Sequence, residues 1–92
     1  MPRKKMARRI ECSAPYTCFK PNGVPLKLLE RQTLAADELE AIRLVDLEGM
    51  QQIEAATEMA VSRQTLALIL KSGRKKVSAS LVLGQALFLE KI

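Results

Sequence analysis

The sequence predicts a mostly α-helical fold: a helix-turn-helix three-helix core, preceded by an extended, proline-containing N-terminal region and followed by a short C-terminal strand or arm. Three observations carry this expectation. Pro2, Pro15, Pro21 and Pro25 all fall before residue 34, and proline breaks helices because it lacks the backbone donor and clashes with the preceding turn. From Ala35 onward apolar residues recur at helical spacing, punctuated by Gly49, Gly73 and Gly84. Ser62 follows a short turn at Ala60-Val61, where its hydroxyl suits the N-cap of a new helix. The chain thus divides into a basic arm and extended region (1–34), a helix-turn-helix domain (35–84) and an apolar tail (85–92).

In the first segment, Asn22-Gly23 and the prolines mark turns around short extended pieces, with Leu26, Leu28 and Leu29 as an apolar stretch. A first helix is expected from about Ala36 to Glu48, with Asp37, Glu38 and Glu40 in its opening turns, where the positive end of the helix dipole favours carboxylates. Leu39, Ile42 and Val45, flanked by Leu44 and Leu47, form its broad apolar face, and Gly49 ends it. A second, short helix spans about Gln51 to Met59 and buries Ile53, Ala55, Ala56 and Met59. The third starts at Ser62, with Leu66, Ile69, Leu70, Val77 and Leu81 at helical spacing. Unbroken to Leu83 it would be roughly 33 Å long, so Gly73 is a candidate bend. The tail after Gly84 is apolar and has to dock, as a strand or an arm, beside the 26–30 stretch of its own or a neighbouring chain.

Composition narrows the function. The chain has 92 residues, 48% hydrophobic and 27% charged, which fits one globular domain with a modest core. No apolar run approaches the roughly 20 residues of a membrane span. Histidine is absent and aromatics, Tyr16, Phe19 and Phe88, make up 3%, which leaves no imidazole for nucleophilic catalysis and little for base stacking. No enzyme activity, cofactor or metal is expected. The basic N-terminus lacks the apolar stretch of an export signal, so a cytoplasmic location is expected, with Cys12 and Cys18 as ordinary thiols. A redox or metal-sensing pair is the alternative for these two, with further ligands drawn from carboxylates or a second chain.

The net charge of +5 is unevenly placed. Residues 1–34 carry eight basic and two acidic side chains, residues 35–60 one and seven, and residues 61–92 six and one. Such blocks suit a polyanion binder with one acidic wall turned away, although solvated faces of alternating sign give the same pattern. Between Gln52 and Leu70 the plan is short helix, tight turn, capped helix. Ala55, Met59, Val61, Leu66 and Ile69 lock the two helices, and Ala56 is small where the backbones come closest. An ordinary helical hairpin is the plainer alternative. The outward residues decide for nucleic acid: Arg63 can pair with guanine, Gln64 with adenine, and Leu68 can meet a thymine methyl, while Ser62, Thr65, Lys71, Arg74 and Lys75 suit phosphates and the remaining contacts. Lys75 and Lys76 also fit a simple solubilising role. Arg3, Lys4, Lys5, Arg8 and Arg9 form an arm suited to clamping the backbone of double-stranded DNA.

Several motifs occur together in one order: Arg8-Arg9-Ile10, Pro15, Phe19-Lys20-Pro21, Gly23, Pro25-Leu26, Asp37-Glu38-Leu39-Glu40-Ala41-Ile42-Arg43-Leu44, Asp46-Leu47-Glu48-Gly49, Ala55-Ala56 and Val61-Ser62-Arg63-Gln64-Thr65. Over nearly its whole length the chain resembles a small prokaryotic domain-of-unknown-function family predicted to bind DNA through a sigma-factor-like helix-turn-helix. The resemblance implies DNA binding without a known target. Ala60 stands where that family has a turn glycine, Gln51 and Ala35 where it has hydroxyl caps, and Leu68 where arginine is common. The expected function is sequence-specific DNA binding by a transcriptional regulator acting as a homo-oligomer. Its rival is a helical protein-interaction or assembly module with a basic surface.

Overall fold

The computed structural model describes residues 8–11 and 14–90. Among these residues lie three strands and three α-helices: β1 (Cys18–Phe19), β2 (Arg31–Leu34), α1 (Ala36–Ile42), α2 (Gln52–Met59), α3 (Arg63–Leu83) and β3 (Ala86–Leu89). Helix α1 runs on into a wider π-helical turn over Arg43–Leu47, and Gly49 in the left-handed region, φ +79, ends the segment as the sequence predicts. Ala41, Leu44, Ala55, Ala56, Met59, Leu66, Ile69 and Leu70 pack as one core, with Ile42, Val45, Met50 and Val61 at its edge.

The apolar tail docks as a strand that starts at the end of the 26–30 stretch, where the Ala86 N–H donates to Glu30 O at 2.9 Å, and pairs onward with Arg31–Leu34, while Leu26–Leu28 form a 3-10 turn. Strand β3 lies between β1 and β2 of its own chain, antiparallel to β1 with Cys18 opposite Phe88, and parallel to β2 with Arg31 opposite Ala86 and Leu34 opposite Leu89. As the central strand it has both edges filled. The first and last segments of the chain thus close on one sheet, against which the second half of α3 packs.

Three expectations are corrected. Gly73 neither bends nor splits α3, which is continuous over 21 residues. It is buried where α1 crosses, and a Cβ placed there would sit 3.0 Å from Ile42 Cδ1 and 3.1 Å from the Glu38 Cβ, so any side chain makes α1 give way. Ile53, Leu47 and Leu81 are exposed; Ala41, Leu44, Ala56 and Met59 already fill the space between the helices, and Leu81 lies beyond that core, beside the groove formed with Phe19 and Leu87. Asp37, Glu38 and Glu40 are buried, which dipole compensation alone does not explain. Each has a cation: Arg8 beside Asp37 at 3.5 Å, Lys76 on Glu38 at 2.8 Å and Arg43 on Glu40 at 2.9 Å.

These carboxylates also finish the helix ends. Ala35 and Gln51 have no hydroxyl to offer as N-caps, yet the return half of the capping arrangement is present at both. The Glu38 carboxylate accepts the Ala35 N–H at 2.8 Å, and the Glu54 carboxylate accepts the Gln51 N–H at 3.0 Å. At α1 another of the free N–H groups is satisfied from the other end of the chain, since Glu90 accepts the Ala36 N–H at 3.0 Å. A tertiary contact thus adds to the local capping.

Candidate nucleic-acid interface

Helices α2 and α3 meet through a left-handed turn residue. Ala60 has φ 58 and ψ 43, the conformation the sequence predicts there in spite of its side chain, and it costs a non-glycine residue roughly 1 kcal/mol. The compensation is local. The Ala60 N–H donates to Thr57 O at 3.1 Å and the Val61 N–H to Ala56 O at 3.0 Å. Ala55, Ala56, Met59, Leu66 and Ile69 are buried beneath the turn, so small residues on α2 let α3 cross closely.

Ser62 caps α3 as its type and place predict. Its Oγ accepts the Thr65 N–H at 3.1 Å and its hydroxyl donates to Thr65 Oγ1 at 2.9 Å. These bonds lock the first turn and leave Arg63 and Gln64 exposed on it, with Thr65 half-buried. Further along, Leu68, Lys71, Arg74 and Lys75 are all exposed. Gln64, Leu68, Lys71 and Lys75, spaced three or four residues apart, form one stripe down the helix. Leu68 keeps 69% of its surface in water.

The cations are not equivalent. Arg74 forks onto Asp46, with Nη2 at 2.7 Å from Oδ1 and Nε at 3.2 Å from Oδ2. That hydrogen bond raises the Arg74 pKa above its ordinary value. It holds the Asp46 carboxyl below the usual range, outweighing the opposite effect of burial. Lys76 is a structural tie between β2 and α1, donating to Thr33 O and to Glu38 Oε1, both at 2.8 Å. Burial by itself would raise the Glu38 pKa; hydrogen bonds from Lys76, Ser72 and the Ala35 N–H, with the ammonium charge, reverse the sign and lower it.

Of the N-terminal arm, Arg3, Lys4 and Lys5 lie outside the described residues. Arg8 is half-buried and turned toward Asp37, so it serves the fold. The Arg9 N–H donates to Met59 O at 3.1 Å, which pins the arm to the last residue of α2 and leaves the exposed Arg9 side chain beside the helix-turn-helix.

Sequence reasoning missed one part of this surface. Met50, Gln51, Gln52, Ile53 and Arg63 line a shallow depression of about 490 Å³ where the start of α2 faces the start of α3. The available signal was angular: Ile53 lies roughly 110° around α2 from the centre of the face that Ala55, Ala56 and Met59 share. Cys18 opens β1 and is half-buried; Cys12 lies outside the described residues, so the pair is not seen together. Among the described residues no helix is long and apolar enough to cross a membrane.

A family profile described as "Protein of unknown function DUF134" matches residues 1–91. A UPF0251 protein of Aeromonas salmonicida is 62% identical over 91 residues, covering 98% of this chain and 88% of that protein. A UPF0251 protein of Vibrio cholerae serotype O1 is 55% identical over 92 residues, covering all of this chain and 94% of the relative. One from Shewanella pealeana is 48% identical over the same length, covering 96% of the relative. No solved structure matches.

Proposed function

We propose that this chain, which belongs to the DUF134 family of proteins of unknown function, binds double-stranded DNA sequence-specifically and acts in the cytoplasm as a transcriptional regulator. The observation that supports this best is the first turn of α3. It is capped by Ser62, held at a fixed angle to α2 by the Ala60 turn, and it presents Arg63 and Gln64 to solvent beside the depression at the start of α2. A helix so placed can enter the major groove with its N-terminal residues on base edges, while the other helix crosses the backbone. Leu68 extends the reading face toward a thymine methyl. Lys71, Arg74 and Lys75 follow as phosphate contacts, and Arg9, with Arg3, Lys4 and Lys5, adds electrostatic attraction.

The rival, a helical protein-interaction or assembly module, sets the basic surface against an acidic protein and makes any DNA contact incidental. A mobility-shift titration on fragments selected from genomic DNA, repeated from low to physiological salt, separates the two. The DNA reading expects one fragment class to stay bound at physiological salt, well above random duplex. Uniform release of all sequences as salt rises would leave only nonspecific attraction and overturn it.

A further inference from the structure

The last turn of α3 is built differently from the rest of the surface. Leu81, Val82 and Leu83 keep 79%, 80% and 68% of their area in water. Successive helical residues lie about 100° apart, so these three occupy every direction of the turn that the domain does not fill itself. A helix apolar all round is a buried helix, and here nothing in the described chain buries it. Next to it runs an apolar groove of about 280 Å³ lined by Phe19, Pro21, Val77, Leu81 and Leu87. Lys20 also lines it, but its ammonium is turned back onto Val24 O at 2.7 Å and Pro21 O at 3.4 Å.

Charge selects the occupant. Residues 77–89 contain no acidic or basic side chain, in a chain that is 27% charged and carries a net +5. The Lys20 ammonium beside the groove is engaged by backbone carbonyls, so charge offers a partner little to pair with here. Two copies of this chain repel each other through their basic faces, and this uncharged end lets them meet without that penalty. The surface is also self-complementary in shape, because a projecting apolar knob and an apolar groove lie side by side, as a two-fold contact requires.

We infer that the apolar end of α3, with the groove beside it, is a homodimer interface in which the Leu81–Leu83 turn of each copy seats against the Phe19, Pro21 and Leu87 groove of the other. Strand β3 supports this contact from within its own sheet. Of the two dockings the sequence left open, the tail takes the one on its own chain and forms the floor on which the interface rests. One consequence depends on the DNA reading: two α3 helices roughly 31 Å long that meet at their C-terminal ends have the reach to set their first turns ~34 Å apart, one turn of duplex.

The test uses no DNA, so its outcome is independent of whether the DNA reading stands. Sedimentation velocity on the full chain, from submicromolar to tens of micromolar, should show a dimer at the upper end. Val82→Glu and Leu81→Glu should each weaken dimerisation by at least about tenfold, because a carboxylate stranded in an apolar contact costs more than that factor. Circular dichroism should be unchanged, since both side chains are exposed in the single chain. Val82→Ser, which adds no charge, should weaken it less. Leu68→Glu, an equally exposed leucine in the other half of the helix, should leave the dimer intact. A wild-type chain that stays monomeric throughout would overturn the inference, as would a dimer indifferent to all three substitutions at 81 and 82 or one that Leu68→Glu disrupts equally.

Discussion

The two halves of α3 share one continuous helix and almost nothing else. Before Gly73 the helix is capped by a serine, stands on the Met59, Leu66 and Ile69 core and points arginine, glutamine and lysine outward. After Lys76 it loses charge altogether, packs on a sheet made from the two ends of the chain, and exposes leucine and valine. The difference teaches that a helix longer than its local core needs is a spacer. Its first half is held by the α1 and α2 core, its second by the sheet that follows from it, whose closure rests on contacts more than 50 positions apart, such as Gln32 with Gln85 and Ala36 with Glu90.

Gly73 is where the halves join, and substituting it is the harshest way to break the comparison. Gly73→Leu should destabilise the chain by about 3 kcal/mol or more, since the added atoms meet Ile42 and the Glu38 stem at contact distance. Chemical denaturation measures it. Both halves should unfold together, because α1 crosses at that point; loss of the sheet alone would mean they are separate units. Next in size, Arg63→Ala or Gln64→Ala should cost roughly 1 to 3 kcal/mol on a preferred DNA site and much less on random duplex, as base contacts do. Fluorescence anisotropy on both DNAs checks this, and an equal loss on each would reassign the pair to phosphate.

The seam between the halves also titrates. Glu38 has a pKa below its ordinary value of 4.5 in the folded protein. Its contribution to stability is therefore complete above that value and is lost as pH falls through the lower, folded one. Thermal melts from pH 6 downward should show this loss, and Glu38→Gln should flatten that part of the curve; an unaltered profile would mean that another carboxyl governs acid unfolding.

Two substitutions sharpen the first half alone. Ala60→Gly relieves the left-handed alanine and should stabilise the chain by about 0.5 to 1 kcal/mol, the gain being limited by the extra freedom of glycine in the unfolded state. A fall in melting temperature would show that the Ala60 methyl is in use. Smallest of all, Asp46→Asn releases Arg74 from an exposed ion pair, worth less than about 1 kcal/mol. It should strengthen binding to every duplex by a few-fold, with a steeper salt dependence. No change in the salt slope would take Arg74 out of the DNA contact.

Much of this molecule follows from local chemistry. The helix start at Arg63, the stop at Gly49, the turn at Ala60 and the Ser62 cap need only neighbours within a few residues, and such preferences are written in residue types. The outward set from Arg63 to Lys75 was equally legible, because helical periodicity alone places it opposite Leu66, Ile69 and Leu70. Packing decided the rest. Glycine at position 73 reads as a bend until α1 is found lying against it. Lys76 reads as one more surface charge until Thr33 and Glu38 are found at its ammonium. Whether Ile53 or Met59 is buried depends on which residues have already filled the interior. The central place of β3 depends on two strands contributed from the other end of the chain. Residue type and periodicity determine which backbone turns form and which faces are apolar; contact between distant segments determines which of those faces is covered, because covering one requires a partner that no local stretch of sequence contains.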